Sequence, residues 1–228
     1  MRAVDVMTTN VITVKPEMSI REAAALLLER HISGAPVLDA DGSLIGIISE
    51  GDLLRRVEIG TQELRRSRWL DFFTTRADAE AYVKSHAHRV EDVMTRPVIS
   101  VGEEEPLSRI ATIMETRGVK RVPVLRDGRL VGIVSRANLL QALASSTADS
   151  QTVSASDREI REELIAELEG RPWAFAGRNI VVTDGVVHLW GIFSSTEAVQ
   201  AVRVAAERIP GVRGVEDHTE PYPVMPGF

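Results

Sequence analysis

Apolar and polar positions change period in the same order twice along the first 140 residues. A β-branched run ends near Val14 and another near Val101, each predicting a short strand. Apolar residues at helical spacing follow, over 19–30 and 107–117, and predict amphipathic helices. Two extended runs come next in each half: 35–38 and 44–49 flank Asp41-Gly42, while 122–125 and 130–135 flank Asp127-Gly128. An Asp-Gly pair between such runs accepts the positive φ of a tight hairpin turn, so both halves predict hairpins. A second helix starts at Glu50 or Arg136 and carries Leu53-Leu54 or Leu139-Leu140. The order is βαββα in residues 1–55 and again in 90–143.

The halves also match in sequence. Asp5-Val6-Met7-Thr8 returns as Asp92-Val93-Met94-Thr95, and Pro36-Val37-Leu38 as Pro123-Val124-Leu125, at an offset of 87 residues. Past the hairpin turn the second copy is one residue shorter. A unit of about fifty residues cannot readily bury both faces of its sheet alone, so the copies are expected to pack as a pseudo-twofold pair.

Between them, 56–89 has no counterpart. From Arg55 to Arg89 there are eight Lys or Arg against five Asp or Glu, with Trp69, Phe72, Phe73 and Tyr82. It reads as a helical insertion whose aromatics cap the pair's core or a dimer surface, or touch a ligand or partner. Small polar residues at 144–156 mark a linker. A different pattern fills 157–223: a capped helix to Glu169, strands at 180–182 and 186–190 around Asp184-Gly185, a helix at 196–209 and a strand at 212–215. The class is therefore α+β, with an αββαβ domain after the pair.

Candidate chemistry closes each copy, in Gly46-Ile47-Ile48-Ser49-Glu50-Gly51-Asp52 and Gly132-Ile133-Val134-Ser135-Arg136-Ala137-Asn138. A strand ends at Ser and a helix begins, where backbone N–H groups lack intrahelical partners and favour anionic or polyhydroxylated ligands. An ionised Asp three residues after the Ser can accept hydrogen bonds from two adjacent ribose hydroxyls, which Asn138 imitates only in part. The alternative is that Ser49, Asp52, Ser135 and Asn138 simply cap helices.

With D-V-M-T openings and G-h-h-S-x-x-D closings in both copies, residues 1–143 resemble a tandem CBS domain, named after the regulatory domain of cystathionine β-synthase. That resemblance implies two βαββα units enclosing clefts for AMP, ADP, ATP or a related adenosyl compound, and a homodimer. It implies that Ser49 and Asp52 hold ribose in one cleft, with Ile12, Thr13, Ala35 and Pro36 against the base. Ser135 and Asn138 would hold ribose in the other, with Ile99, Ser100, Val122 and Pro123 against the base. Lys120, Arg121, Arg136 and His31 are candidates for phosphate. Asn138 departs from the pattern and favours the Asp52 cleft.

The last domain resembles the BON domain, through its αββαβ order, Asp184-Gly185-Val186-Val187, Gly191 and Ile209-Pro210-Gly211-Val212. BON domains are often described as phospholipid-binding. Here residues 157–223 hold seven Arg or Lys against twelve Asp or Glu, which repels anionic headgroups and favours a protein partner.

Composition narrows the rest. A formal charge of −6 with no basic stripe disfavours nucleic acid as a partner. Cysteine is absent, which excludes disulfides and thiol chemistry. Charge interrupts the N-terminus and the longest apolar run is six residues, so a cytoplasmic location is expected. No phosphate-cradling G-x-x-x-x-G-K-[ST] loop or G-x-S-x-G elbow occurs, and no catalytic residue is expected. His86-Ala87-His88 offers two imidazoles, but no Asp, Glu or His pattern completes a ligand set with them, so no metal site is expected either. The expectation is a non-enzymatic regulatory sensor of adenine nucleotides. The alternative is a homodimeric assembly protein whose last domain docks onto protein or phospholipid.

Overall fold

A computed structural model describes residues 1–54, 86–146, 153–171, 173–174, 179–193 and 195–221. Trp69, Phe72, Phe73, Tyr82 and most of the expected insertion and linker lie outside the described residues. In chain order the elements are α1 (Ala3–Val6), α2 (Ile20–Glu29), β1 (Gly34–Leu38), β2 (Leu44–Ser49), α3 (Glu50–Leu53) and α4 (Val90–Val93). Then come β3 (Val101–Gly102), α5 (Leu107–Thr116), β4 (Arg121–Arg126), β5 (Arg129–Ser135) and α6 (Arg136–Ser145). The last domain supplies α7 (Ala155–Leu168), β6 (Asn179–Thr183), β7 (Val186–Phe193), α8 (Thr196–Glu207) and β8 (Gly214–Pro221). Two compact units result, Ile12–Ile99 and Met1–Val11 with Ser100–Phe228.

In the Ile12–Ile99 unit, β1 and β2 form an antiparallel hairpin, and Val14 joins β1 as a parallel bridge opposite Val37. Ser19 starts α2 through a capping box with Glu22. The helix buries Ile20, Ala23 and Leu27 against Val14, Ala35, Val37 and Ile48. Its chain leaves through His31, held at φ 50°, where the second copy has Gly118 at φ 65°. The extra residue of the first copy lengthens its hairpin turn, in which the Asp39 carboxylate accepts from the N–H groups of Asp41 and Ser43. The shorter second turn puts Asp127 and Gly128 both at positive φ.

The opening motif of each copy is built into the sheet of the other copy. Met94 packs on Gly46, where a Cβ would overlap the Met94 side chain, and Thr95 exchanges backbone hydrogen bonds with Ile47. Met7 packs in the same way on Gly132, and Thr8 exchanges hydrogen bonds with Ile133. The compact units therefore do not follow the sequence repeats, because each D-V-M-T motif crosses over to the opposite glycine.

In the other unit, β3 pairs in parallel with β4, and β4 antiparallel with β5. The last domain has the sheet order β6-β7-β8, with β7 and β8 parallel and joined through α8. One face of this sheet packs Ile180, Val182, Val187 and Leu189 against Ile160, Leu164 and Val202 of the helices. The opposite face turns Val181 and Trp190 toward Val6 and Ala142. The sequence pattern ended the last strand at Val215, whereas β8 runs on to Pro221.

Asp157 ties α7 to the β6–β7 turn, accepting from the N–H of Gly185 at 2.7 Å and from both the hydroxyl and N–H of Ser154. Burial opposes its charge, but these hydrogen bonds prevail and hold its carboxyl below the usual aspartate range. A lowered folded-state value means the contribution is complete above the unfolded pKa and is lost as pH falls through the folded one. Asp157→Ala is expected to cost about 2 kcal/mol at pH 7. By urea titration, its deficit against the parent narrows below about pH 4.

Candidate functional site

The residues expected to touch a nucleoside in the first copy converge at one end of the β1–β2 hairpin. Gly34 pairs with Ser49 and Ala35 with Ile48, and the Val14 N–H donates to the Pro36 carbonyl at 3.0 Å. Half-buried Ile12 and Thr13 thereby run beside buried Ala35 and Pro36. Ser49 is the last residue of β2 and the N-cap of α3. The Asp52 carboxylate accepts through Oδ2 from the Ser49 N–H at 2.9 Å and its hydroxyl at 2.8 Å. Its Oδ1 accepts from the Thr95 hydroxyl at 3.0 Å.

The second copy repeats this arrangement with one reversal. Val101 lies beside Val124, which brings Ser100 near Pro123, while Arg121 pairs with Ser135. Asn138 accepts through Oδ1 from the Ser135 N–H at 2.8 Å and hydroxyl at 2.7 Å. Its Nδ2 donates to the Val6 carbonyl at 3.1 Å and to the Thr8 hydroxyl at 3.4 Å. Where Asp52 receives a hydrogen bond from its threonine, Asn138 gives one, because a carboxamide offers one acceptor oxygen and one donor group. Asn138 is 4% exposed and bonded at both ends.

The two sets of candidates for phosphate and base separate in part. The Arg136 N–H donates to the Lys120 carbonyl at 3.1 Å, so Lys120, Arg121 and Arg136 stand together where β4 begins and β5 ends. His31 sits in the left-handed turn that stops α2. Ile99 ends one compact unit and Ser100 belongs to the other.

The Ser-to-acid hydrogen bonds alone do not mark a sugar site. Ser154 and Asp157 form the same pair at 2.8 Å, and that pair holds a turn of the last domain. What sets Asp52 apart is that its second oxygen reaches the threonine of the D-V-M-T motif. Sequence reasoning missed Thr8 and Thr95, although their recurrence in both openings is a usable signal.

The last domain carries an open groove of about 1030 Å³ between α7 and α8, which includes Trp173, Val204 and Ile209. Glu163, Glu167 and Glu197 line it together with Arg171 and Arg208. Among the described residues, no helix is long and apolar enough to cross a membrane.

Comparison with known proteins agrees with this architecture. The CBS domain model matches residues 3–59 and 90–145, and the BON domain model matches 156–220. The uncharacterized protein MJ1426 of Methanocaldococcus jannaschii is 34% identical over 143 residues, covering 58% of this chain and 85% of its own length. The chloroplastic CBS domain-containing protein CBSX1 of Arabidopsis thaliana is 35% identical over 135 residues, covering 57% of each. The crystal structure of CBSX2 in complex with AMP superposes with a TM-score of 0.54 at 31% identity, covering 63% of this chain and 96% of that one. The chain belongs to the CBS-domain proteins, and it carries a CBS pair followed by a BON domain. It spans just over half the length of CBSX1, at 57%, and of the M. jannaschii relative MJ1225, at 51%.

Proposed function

We propose that this chain is a non-enzymatic regulatory module whose CBS pair binds an adenine nucleotide, AMP, ADP or ATP, with Ser49 and Asp52 holding the ribose. The carrying observation is the Asp52 carboxylate, whose two oxygens face a strand-to-helix junction and already accept hydroxyl hydrogen bonds from Ser49 and Thr95. A ribose diol takes over the positions of those two hydroxyls, and a carboxylate is the acceptor that makes both bonds charge-assisted. Similarity to CBSX2, crystallised with AMP, supports the same ligand class here. Ile12, Thr13, Ala35 and Pro36 then flank the base, with His31 as the candidate for phosphate. In the second copy Ser135 and Asn138, with Ile99, Ser100, Val122 and Pro123, make the weaker site, because Asn138 is committed to Val6. Lys120, Arg121 and Arg136 are its phosphate candidates.

The BON domain reads the state of the second copy. Gln141 Oε1 accepts from Asn138 Nδ2 at 3.4 Å and from Asn179 Nδ2 at 3.0 Å, linking the Ser135–Asn138 cap to β6. A nucleotide acts as a switch only if it favours one arrangement of the module over another. Exposed Leu140 and Leu143, neighbours on α6 at 66% and 71% exposure, favour a homodimer through the CBS pair. The net negative charge of residues 157–223 favours a protein over an anionic phospholipid as the BON partner.

Calorimetric titration of the full chain with AMP, ADP and ATP, followed by light scattering on the same samples, tests the reading. At least one nucleotide is expected to bind and the mass to be that of a dimer. Silence from all three removes the nucleotide function and leaves an assembly protein.

A further inference from the structure

The extension of β8 beyond Val215 brings Glu216 and His218 beside His188, which lies 30 residues before His218 in the chain. His188 on β7 pairs in register with Glu216 on β8, and Trp190 pairs with His218, so all four stand on one face of the sheet. His188 Nδ1 lies 3.2 Å from Glu216 Oε2 and 3.2 Å from His218 Nε2. His218 Nε2 lies 3.4 Å from Glu216 Oε2. The three atoms form a nearly equilateral triangle.

That triangle has the dimensions of one face of a coordination tetrahedron. Ligands about 2.0–2.1 Å from a zinc ion, at tetrahedral angles, are about 3.3–3.4 Å apart. We propose that His188, Glu216 and His218 form a binding site for a divalent transition-metal ion of zinc's class, held across β7 and β8 of the BON domain. Two imidazoles and one carboxylate are a ligand set that suits zinc and disfavours magnesium and calcium. The geometry is held from behind: Trp190 stacks on the His218 ring, with centroids 4.1 Å apart and planes at 14°, and His188 is buried. Glu216 is 57% exposed at the side chain, so the fourth coordination position opens toward solvent, where water completes the tetrahedron. The ion ties β8 to β7, and it therefore stabilises the BON domain by mass action.

The test is a calorimetric titration of the untagged, chelator-treated full chain with Zn²⁺ at pH 7.5, with thermal unfolding followed in parallel. One ion per chain is expected, with a rise in melting temperature. Glu216→Gln alters an exposed side chain and His218→Gln a half-exposed one, so both keep the fold testable. Each is expected to weaken Zn²⁺ by at least roughly a hundredfold and to abolish the thermal shift. The paired change His86→Gln with His88→Gln is expected to change neither. Absence of binding by the parent, equal affinity in the Glu216 and His218 variants, or loss of the site in the His86 and His88 variant would each overturn the proposal.

Discussion

Arg161→Met is expected to destabilise the chain by about 3 kcal/mol. Arg161 lies on α7 and is 5% exposed, with Nε donating to the Ile180 carbonyl at 2.8 Å and Nη2 to the Met7 carbonyl at 2.6 Å. Burial pulls its pKa down to about 10, against the pull of the Asp5 and Glu162 charges, so it stays protonated at neutral pH. Methionine keeps the apolar stem and leaves two carbonyls buried without a donor, each worth about 1–3 kcal/mol. The second anchor, Arg158 to Asp5 at 2.6 Å, stays in place and keeps the variant folded. Urea unfolding reads the difference; a change below about 0.5 kcal/mol contradicts the role assigned to Arg161. The consequence reaches the second candidate cleft, because the Met7 held by Arg161 packs on Gly132 beside the Thr8 and Asn138 hydrogen bond.

Asp52→Asn is expected to weaken the best-bound nucleotide by roughly tenfold to a hundredfold. The second copy shows what the change does: an amide in that place turns its nitrogen to a donor role and accepts only through one oxygen. The variant keeps the cap of α3, since Asn138 caps α6 in the same way, so a loss of affinity reports on the ligand and not on folding. Isothermal titration beside an unchanged denaturation midpoint checks it. Unaltered affinity places the ribose elsewhere.

The fold was legible wherever a local signal fixed it. The helix at Ile20–Glu29 was announced by apolar residues at helical spacing, the turn at Asp127-Gly128 by its dipeptide, and the αββαβ order by a capped helix, the Asp184-Gly185 turn and the changes of period. The crossing of the D-V-M-T motifs was not legible. Met7 and Met94 are identical, as are Gly46 and Gly132, so either methionine satisfies either glycine on pattern and only the chain path decides. The local part of the candidate site, Ser49 with Asp52, could be read from spacing, whereas Thr95 contributes from 43 residues away. Trp190 lies off the helix-covered core of the last domain, facing Val6 and Ala142 and donating to the Ser145 hydroxyl at 3.0 Å. The reach of β8 past Val215 was not legible, because Glu216-Asp217-His218-Thr219 shows no hydrophobic alternation.

The grip of Asp52 on a vicinal diol is tested most directly by a two-by-two comparison of AMP and 2′-deoxy-AMP on the parent and on Asp52→Ala. Removing the 2′-hydroxyl is predicted to weaken binding by roughly tenfold in the parent and by less than about twofold in the variant, because the missing hydroxyl and the missing carboxylate delete the same contact. Equal weakening in both proteins, or none in either, contradicts it.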